Sequence, residues 1–146
     1  MTRVLGVDLG EKRIGLACSD PSGVLASPLR VLLRSGDPVA DRVAIVEAAQ
    51  EAEAQVIVVG LPRSLSGREG PAARGARGEA AALVELADRA GGIRVELHDE
   101  RFTPRDAQKA LSAGGRSTRR QRDMIDAAAA AVMLQSYLDA ARGAAR

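Results

Sequence analysis

The sequence has a single cysteine, Cys18, a single histidine, His98, and two aromatic residues, Phe102 and Tyr137. One cysteine cannot build an intrachain disulfide framework, and a structural zinc site made of cysteine and histidine lacks enough ligands. A Ser-His-Asp triad would have to use His98. Because aromatic side chains are so few, a protein that stacks single-stranded bases on aromatic platforms is largely excluded.

Long apolar runs and lysine are also scarce. No run is long enough to span a bilayer, and the opening residues lead into a strand without the regions of a signal peptide. The only lysines are Lys12 and Lys109, so arginine, which suits bidentate phosphate contacts, carries the positive charge. The length of 146 residues, 46% of them hydrophobic, fits one domain. We therefore expect a single cytosolic domain over residues 1–146, with no membrane contact.

Five apolar segments have the character of strands: residues 3–9, 13–20, 24–33, 55–62 and 93–100. Short turns separate the first three, which predicts an antiparallel start. Helices are predicted over residues 39–54, 79–92, 103–115 and 124–141, with polar segments at 63–78 and 116–123 predicted as a loop and a linker. Strands followed by alternating helices and strands predict a mixed α/β sheet with helices on both faces.

Three acidic residues stand where a merely solvated charge would be unusual. Asp8 ends the first strand, Glu100 ends the fifth, and Asp126 lies among alanines on the last predicted helix. Small residues after Asp126 would let that helix lie close to the sheet. Buried carboxylates pair, take a proton or bind a metal, and acids without histidine or cysteine suit Mg²⁺ or Mn²⁺. Two such ions would serve phosphodiester hydrolysis.

Each acid also has a structural interpretation. Asp8 could cap a strand end or form a salt bridge, and Glu100 could pair with Arg101 or Arg105. Asp126 could complement the dipole at the start of its helix. The turn after Asp8 resembles the first phosphate loop of sugar kinases, actin and Hsp70-type ATPases, which offers nucleotide binding as a rival function. The chain is too short for the two such domains that enclose a nucleotide.

Two basic segments flank the predicted site. Arg63, Arg68, Arg74 and Arg77 follow the fourth strand, and Arg116, Arg119, Arg120 and Arg122 precede the last helix. Such cations could hold backbone phosphates while the acids hold metals, although solvated loops are the ordinary alternative. No element suited to reading base edges is evident, so recognition by the shape of the nucleic acid is expected.

Four segments together are similar to the YqgF/RuvX family: GVDLGEKRIGLACSD, VIVVGLPRSLSGREG, VELHDERFTPRDA and MIDAAAAAVMLQSYL. The resemblance runs from about residue 3 to residue 140. It implies an RNase H-like fold, with a mixed five-stranded sheet whose first three strands are antiparallel. The family is described both as Holliday junction resolvases and as nucleases for the 5′ end of pre-16S ribosomal RNA.

The resemblance implies that Asp8, Glu100 and Asp126 are catalytic residues that bind Mg²⁺ or Mn²⁺. Nucleic-acid contacts are expected from Lys12, Arg13, Arg63, Arg68, Arg74, Arg77, Arg101, Thr103, Arg119, Arg120 and Arg122. Pro104 stands where the family often has a second hydroxyl residue. We expect a metal-dependent endonuclease for pre-16S rRNA, acting as a monomer or weak homodimer. The alternatives are a dimeric Holliday junction resolvase and a non-catalytic nucleic-acid-binding maturation factor.

Overall fold

The computed structural model describes residues 2–63, 69–101 and 119–144, and for Arg63, Glu100, Arg101, residues 119–122 and Ala144 it describes the backbone alone. Within this part the strands are β1 (Val4–Leu9), β2 (Arg13–Ser19), β3 (Ala26–Leu33), β4 (Val56–Arg63) and β5 (Arg94–Arg101). The helices are α1 (Pro38–Glu51), α2 (Pro71–Arg89) and α3 (Arg119–Ala144). The five predicted strands are thus all confirmed.

The strands form one five-stranded sheet in the order β3-β2-β1-β4-β5. β1 pairs with β2 and β2 with β3 in antiparallel fashion, whereas β4 is parallel to both β1 and β5. The prediction of a mixed sheet with an antiparallel start is therefore confirmed. Because β1, β4 and β5 run in the same direction, their carboxyl ends lie along one edge of the sheet.

The sheet has a hydrophobic core on each face, because apolar residues fill both sides of its central strands. On one face Leu5, Leu16 and Ile57 pack with Ile45 of α1 and Leu83 of α2. On the other face lie Val4, Ala17, Val56 and Val58, together with Ala130, Met133, Leu134 and Leu138 of α3. The prediction of helices on both faces is confirmed.

Helix α1 begins as its sequence indicates. The side chain of Asp37 accepts hydrogen bonds from the backbone N–H groups of Val39 and Ala40, and Pro38 occupies the first helical position. A carboxylate oxygen on otherwise unpaired N–H groups, followed by a residue with a fixed helical φ, defines the start.

Two helices begin earlier than predicted. The glycine-rich stretch before residue 79 was expected to be a loop, yet α2 already starts at Pro71. Its alanines Ala73, Ala76 and Ala80 are buried at helical spacing, and this burial offsets the low helix propensity of Gly75 and Gly78. Likewise α3 starts at Arg119 rather than at residue 124, so the expected basic linker is in part its first turns. The predicted helix 103–115 lies outside the described residues.

No helix in the described ranges is long and apolar enough to cross a membrane.

Helix α3 lies very close to the β1–β2 hairpin because two glycines face it. A β-carbon on Gly6 would come within 2.9 Å of the Leu134 Cβ atom. A β-carbon on Gly15 would come within 2.3 Å of the backbone carbonyl oxygen of Asp126. Real β-carbons essentially never approach other atoms so closely, and backbone cannot rotate away as a side chain can.

We expect Gly15→Ala to lower the free energy of unfolding by at least about 2 kcal/mol, because α3 must shift to admit the methyl group. Gly78→Ala is the matched control, since it adds the same group to an exposed helical site with no atom within 4 Å. That control should raise stability by about 0.5–1 kcal/mol. Urea unfolding of both variants measures the difference. An unchanged midpoint for Gly15→Ala would contradict the described contact.

Candidate active site

Asp8 lies at the carboxyl end of β1, where the ladder with β2 places it opposite Gly15. Its side chain is partly buried beneath α3. Burial raises the pKa of this carboxyl above its usual range, and the negative charge of Asp126 raises it further. The two carboxylates are therefore near enough to repel each other, although they are 118 residues apart in sequence. The structure thus brings together two of the three predicted acids.

Asp126 reaches this place from α3. The helix begins at Arg119, so Asp126 follows two turns inside it and is not part of the first turn, which holds no acidic residue. This removes the interpretation of Asp126 as a charge that complements the helix dipole, because that effect is confined to the terminal turn. The side chain of Asp126 is 35% exposed.

Arg13, the first residue of β2, forms the direct contact to Asp126. Its Nε atom donates a hydrogen bond to Asp126 Oδ2 at 2.7 Å, and the same Nε lies 4.0 Å from Asp123 Oδ1. The Arg13 side chain is only 23% exposed. Arg13 thus pairs with a carboxylate of the site, and its contact with a phosphate stays a prediction.

Asp123 is a residue that the sequence analysis missed. It was assigned to a linker, but α3 includes it, so it lies one turn before Asp126 on the same helix. The acidic pair three residues apart would have been a signal if the helix had been predicted to begin earlier. Arg34 was also missed: its Nε donates to the carbonyl oxygen of Gly10 at 2.7 Å and so supports the β1–β2 turn. No sequence pattern indicates this contact.

Glu100 lies on β5 beside β4, where the ladder pairs it with Pro62 at the same edge of the sheet as Asp8. Its side chain lies outside the described part, so its place in the site stays a prediction. Among the side chains that the structure describes, no three acidic, histidine or cysteine groups gather as a metal site.

A pocket of about 240 Å³ opens beside Asp126. It is lined by Gly10, Glu11 and Lys12 of the β1–β2 turn together with Arg13 and Asp126. The turn is tight, since the Gly10 N–H donates to the Arg13 carbonyl oxygen at 2.9 Å. The exposed Lys12 therefore lines the same pocket as Asp126.

Two of the predicted nucleic-acid contacts lie on the first turns of α2, which starts beyond the carboxyl end of β4. Arg74 is exposed, and Arg77 is exposed and hydrogen bonded to Glu69. That hydrogen bond is the main reason why the pKa of Arg77 is raised, and the charge of Asp99 on β5 adds to it. For Arg63, Arg101, Arg119, Arg120 and Arg122 only the backbone is described, and Arg68 and Thr103 lie outside the described residues.

His98 connects strand β5 to helix α3. Its Nε2 atom lies 2.9 Å from Ser136 Oγ, and its ring meets that of Tyr137 edge to face, so it joins β5 to α3. Burial lowers the pKa of His98, and Tyr137 donates a hydrogen bond to Glu96 next to it. These contacts fasten α3 to the edge of the sheet.

Comparison with known proteins shows the family of this chain. Residues 2–140 match the family model described as "RuvX: Holliday junction resolvase". A protein of Mycobacteroides abscessus is 43% identical over 140 residues, which cover 96% of this chain and 82% of that protein. One of Anaeromyxobacter dehalogenans strain 2CP-C is 47% identical over 137 residues, covering 94% and 96%. Both bear the name "Putative pre-16S rRNA nuclease".

This chain has a fold similar to that of a solved structure. The structure of T. thermophilus RuvC in complex with a Holliday junction substrate matches with a TM-score of 0.52 and 18% identity, covering 98% of this chain and 97% of that one. At this identity the likeness concerns the fold, and it confirms the RNase H-like arrangement. With the family match over nearly the whole sequence, the chain belongs to the RuvX family.

Proposed function

We propose that this protein is a metal-dependent endonuclease that hydrolyses phosphodiester bonds in structured nucleic acid, with the 5′ end of pre-16S rRNA as its substrate in the cytoplasm. The observation that carries the proposal is the proximity of Asp8 and Asp126 at the carboxyl edge of the sheet, where burial and then the charge of Asp126 raise the pKa of Asp8. Two ionised carboxylates repel each other, so their proximity favours the binding of a cation.

The residues present fit Mg²⁺ or Mn²⁺. The donors are carboxylate oxygens, the ligands that these hard cations prefer. Burial and then the charge of Asp126 raise the pKa of Asp8, and a divalent ion would offset both effects. Asp8, Glu100 and Asp126 would hold the metal, in one or two ions. When bound, the metal activates water for attack and stabilises the leaving oxygen of the phosphodiester.

The protein's own side chains would hold and orient the nucleic acid. Lys12 lines the pocket and would contact a phosphate next to the scissile bond. Arg74 and Arg77 on the first turns of α2 would add contacts, as would the arginines on the first turns of α3. Arg13 would keep the carboxylate of Asp126 turned toward the pocket. These contacts read backbone phosphates rather than bases.

The names of the relatives support pre-16S rRNA as the substrate. The family description and the fold of RuvC support a four-way DNA junction as the second candidate. A junction has two strands to cut symmetrically, so a resolvase should present two sites as a dimer, whereas an rRNA nuclease can act as a monomer. We propose a monomer or weak homodimer.

The deciding experiment is cleavage of a labelled pre-16S rRNA 5′ precursor and a labelled four-way DNA junction, each with Mg²⁺, Mn²⁺ or EDTA. We expect wild type to cut the RNA, and we expect cleavage to disappear with EDTA and in Asp8→Asn, because an amide is a poor ligand for a hard cation. Asp88→Asn, at an exposed position of α2, is the matched control and should cut normally.

Cleavage of the junction alone, together with a dimeric mass in solution, would replace rRNA by DNA as the substrate. Tight binding of both nucleic acids without metal-dependent cleavage of either would favour a non-catalytic maturation factor and contradict the proposed enzyme.

Asp8→Asn should also make the metal-free protein more stable at neutral pH. The folded state raises the pKa of Asp8, so the folded protein holds the proton more tightly than the unfolded chain does. The charge therefore destabilises the fold once the pH rises through the folded pKa. The gain in melting temperature of Asp8→Asn over wild type should shrink as the pH falls toward about 4, the unfolded value. Thermal unfolding in EDTA from pH 4 to pH 8 measures this, and a less stable variant would identify Asp8 as a structural residue.

Arg74→Gln should weaken RNA binding and make it less salt-dependent. If Arg74 contacts one phosphate, the slope of log K against log salt should fall by about 0.7–0.9. Arg89→Gln removes the same charge from the far end of α2, where Arg89 pairs with Glu85 on an exposed face, and should leave the slope unchanged. Filter binding in EDTA at several KCl concentrations measures both slopes. Equal effects of the two substitutions would indicate general attraction instead of a local contact.

A further inference from the structure

Arg34, the residue directly after β3, makes two contacts with the turn between β1 and β2. Its backbone N–H donates to the carbonyl oxygen of Lys12 at 3.0 Å, and its Nε donates to the carbonyl oxygen of Gly10 at 2.7 Å. The backbone contact continues the β2–β3 ladder, in which Arg13 pairs with Leu33. The side-chain contact lies beyond the ladder, and it ties the first residue of the turn to the end of β3.

The side-chain contact depends on the residue type, because any residue except proline could make the backbone contact. The Gly10 N–H donates to the Arg13 carbonyl oxygen at 2.9 Å, and a β-carbon on Gly10 would come within 2.6 Å of the same oxygen. Gly10 is therefore held at its N–H by Arg13 and at its carbonyl by Arg34. Because the peptide group is planar, the orientation of this carbonyl also sets the direction in which the chain continues toward Lys12.

The turn held in this way carries a predicted contact to nucleic acid. Gly10, Glu11 and Lys12 line the pocket beside Asp126, and Lys12 is exposed. A lysine ammonium stands on a flexible four-carbon stem, so its position before binding depends on how firmly its backbone is held. A group that is already in place loses less conformational freedom on binding, and the complex is tighter for it.

Arg34 also acts through its charge. The pKa of Glu79 on α2 is lowered chiefly by the hydrogen bond from Arg42, and the charge of Arg34 lowers it further. Arg34 is only half-buried, so its guanidinium could also contact a phosphate directly. Both of these roles require the positive charge, whereas the contact with Gly10 requires only an N–H donor. The roles can therefore be separated by substitution.

We propose that Arg34 is a positioning residue for nucleic-acid binding: its Nε holds the carbonyl oxygen of Gly10 and thereby fixes Lys12 beside the pocket, where Lys12 contacts a backbone phosphate. This inference rests on the phosphate contact of Lys12 in the proposed function and adds the residue that holds it. Arg34 acts through the turn and needs no contact of its own with the nucleic acid.

Two substitutions of Arg34 separate the donor from the charge. Glutamine Nε2 is as many bonds from the backbone as arginine Nε, so Arg34→Gln keeps a donor for Gly10 and removes the charge. Methionine has a methyl group at that position, so Arg34→Met removes both. Arg30→Met is the matched control, because Arg30 also lies on the edge strand β3, is exposed and pairs with Glu51 at the end of α1.

Hydrogen exchange of the Gly10 amide, followed by NMR in EDTA without nucleic acid, measures how firmly the turn is held. We expect Arg34→Met to accelerate this exchange roughly twofold to tenfold, the range for one lost hydrogen bond. Arg34→Gln and Arg30→Met should exchange as wild type does, and thermal unfolding verifies that all variants fold. An unchanged exchange rate in Arg34→Met would overturn the proposal.

Filter binding of the labelled pre-16S rRNA 5′ precursor in EDTA tests the link to Lys12. We expect Arg34→Met to raise the Kd roughly twofold to tenfold in the wild-type background, and to add nothing in Lys12→Gln, where the positioned contact is already gone. Arg34→Gln and Arg30→Met should bind as wild type does.

Two results of the binding experiment would contradict the role of Arg34. An equal rise in Kd with and without Lys12 would show that Arg34 acts independently of that residue. Equal losses in Arg34→Gln and Arg34→Met, with the Gly10 amide of Arg34→Gln still protected, would show that the charge alone is responsible.

The outcomes also distinguish this inference from the proposed function. RNA binding that is weakened in Lys12→Gln but intact in Arg34→Met would overturn the role of Arg34 alone. Unchanged binding in Lys12→Gln would overturn the inference and leave the proposed nuclease standing. Absence of RNA binding in the wild type would overturn both.

Discussion

The close contact between α3 and the β1–β2 hairpin is the constraint on which the site depends. Gly15 has no side chain, so the carbonyl oxygen of Asp126 can occupy the space that a β-carbon would fill. This approach brings the carboxylate of Asp126 near Asp8, which the same ladder places opposite Gly15. The sheet supplies one acid and the helix supplies the other, and a glycine sets the distance between them.

The proximity of Asp8 and Asp126 has an electrostatic cost. Burial and the charge of Asp126 both raise the pKa of Asp8, and the guanidinium of Arg13 pairs with Asp126. Two acids thus lie close together at the site, and the sequence places arginines on the first turns of α2 and of α3. Such a set of residues favours a divalent cation on the acids and a polyanion on the arginines, which is the arrangement that phosphodiester hydrolysis requires.

The sequence was informative where local chemistry determines structure. Runs of β-branched residues indicated the strands, and Asp37 with Pro38 indicated the start of α1. The start of α2 was missed because Gly75 and Gly78 disfavour a helix, and only burial of neighbouring alanines, a tertiary effect, overrides them. The start of α3 was missed because its first turn is basic, against the dipole, and Asp123 was missed with it. The role of Gly15 depends on what faces it, which no local pattern contains.

The contact at Gly15 is made by the backbone of residue 126 and not by its side chain. Docking of the helix and the chemistry of the carboxylate are therefore separable properties of one residue. A changed side chain at position 126 removes the hydrogen bond from Arg13 but leaves this backbone contact in place, whereas a side chain at position 15 collides with the backbone of the helix. A descendant of this protein could lose its acids and remain a folded protein that binds nucleic acid. A single methyl group at position 15, in contrast, would displace α3 and every side chain that it carries.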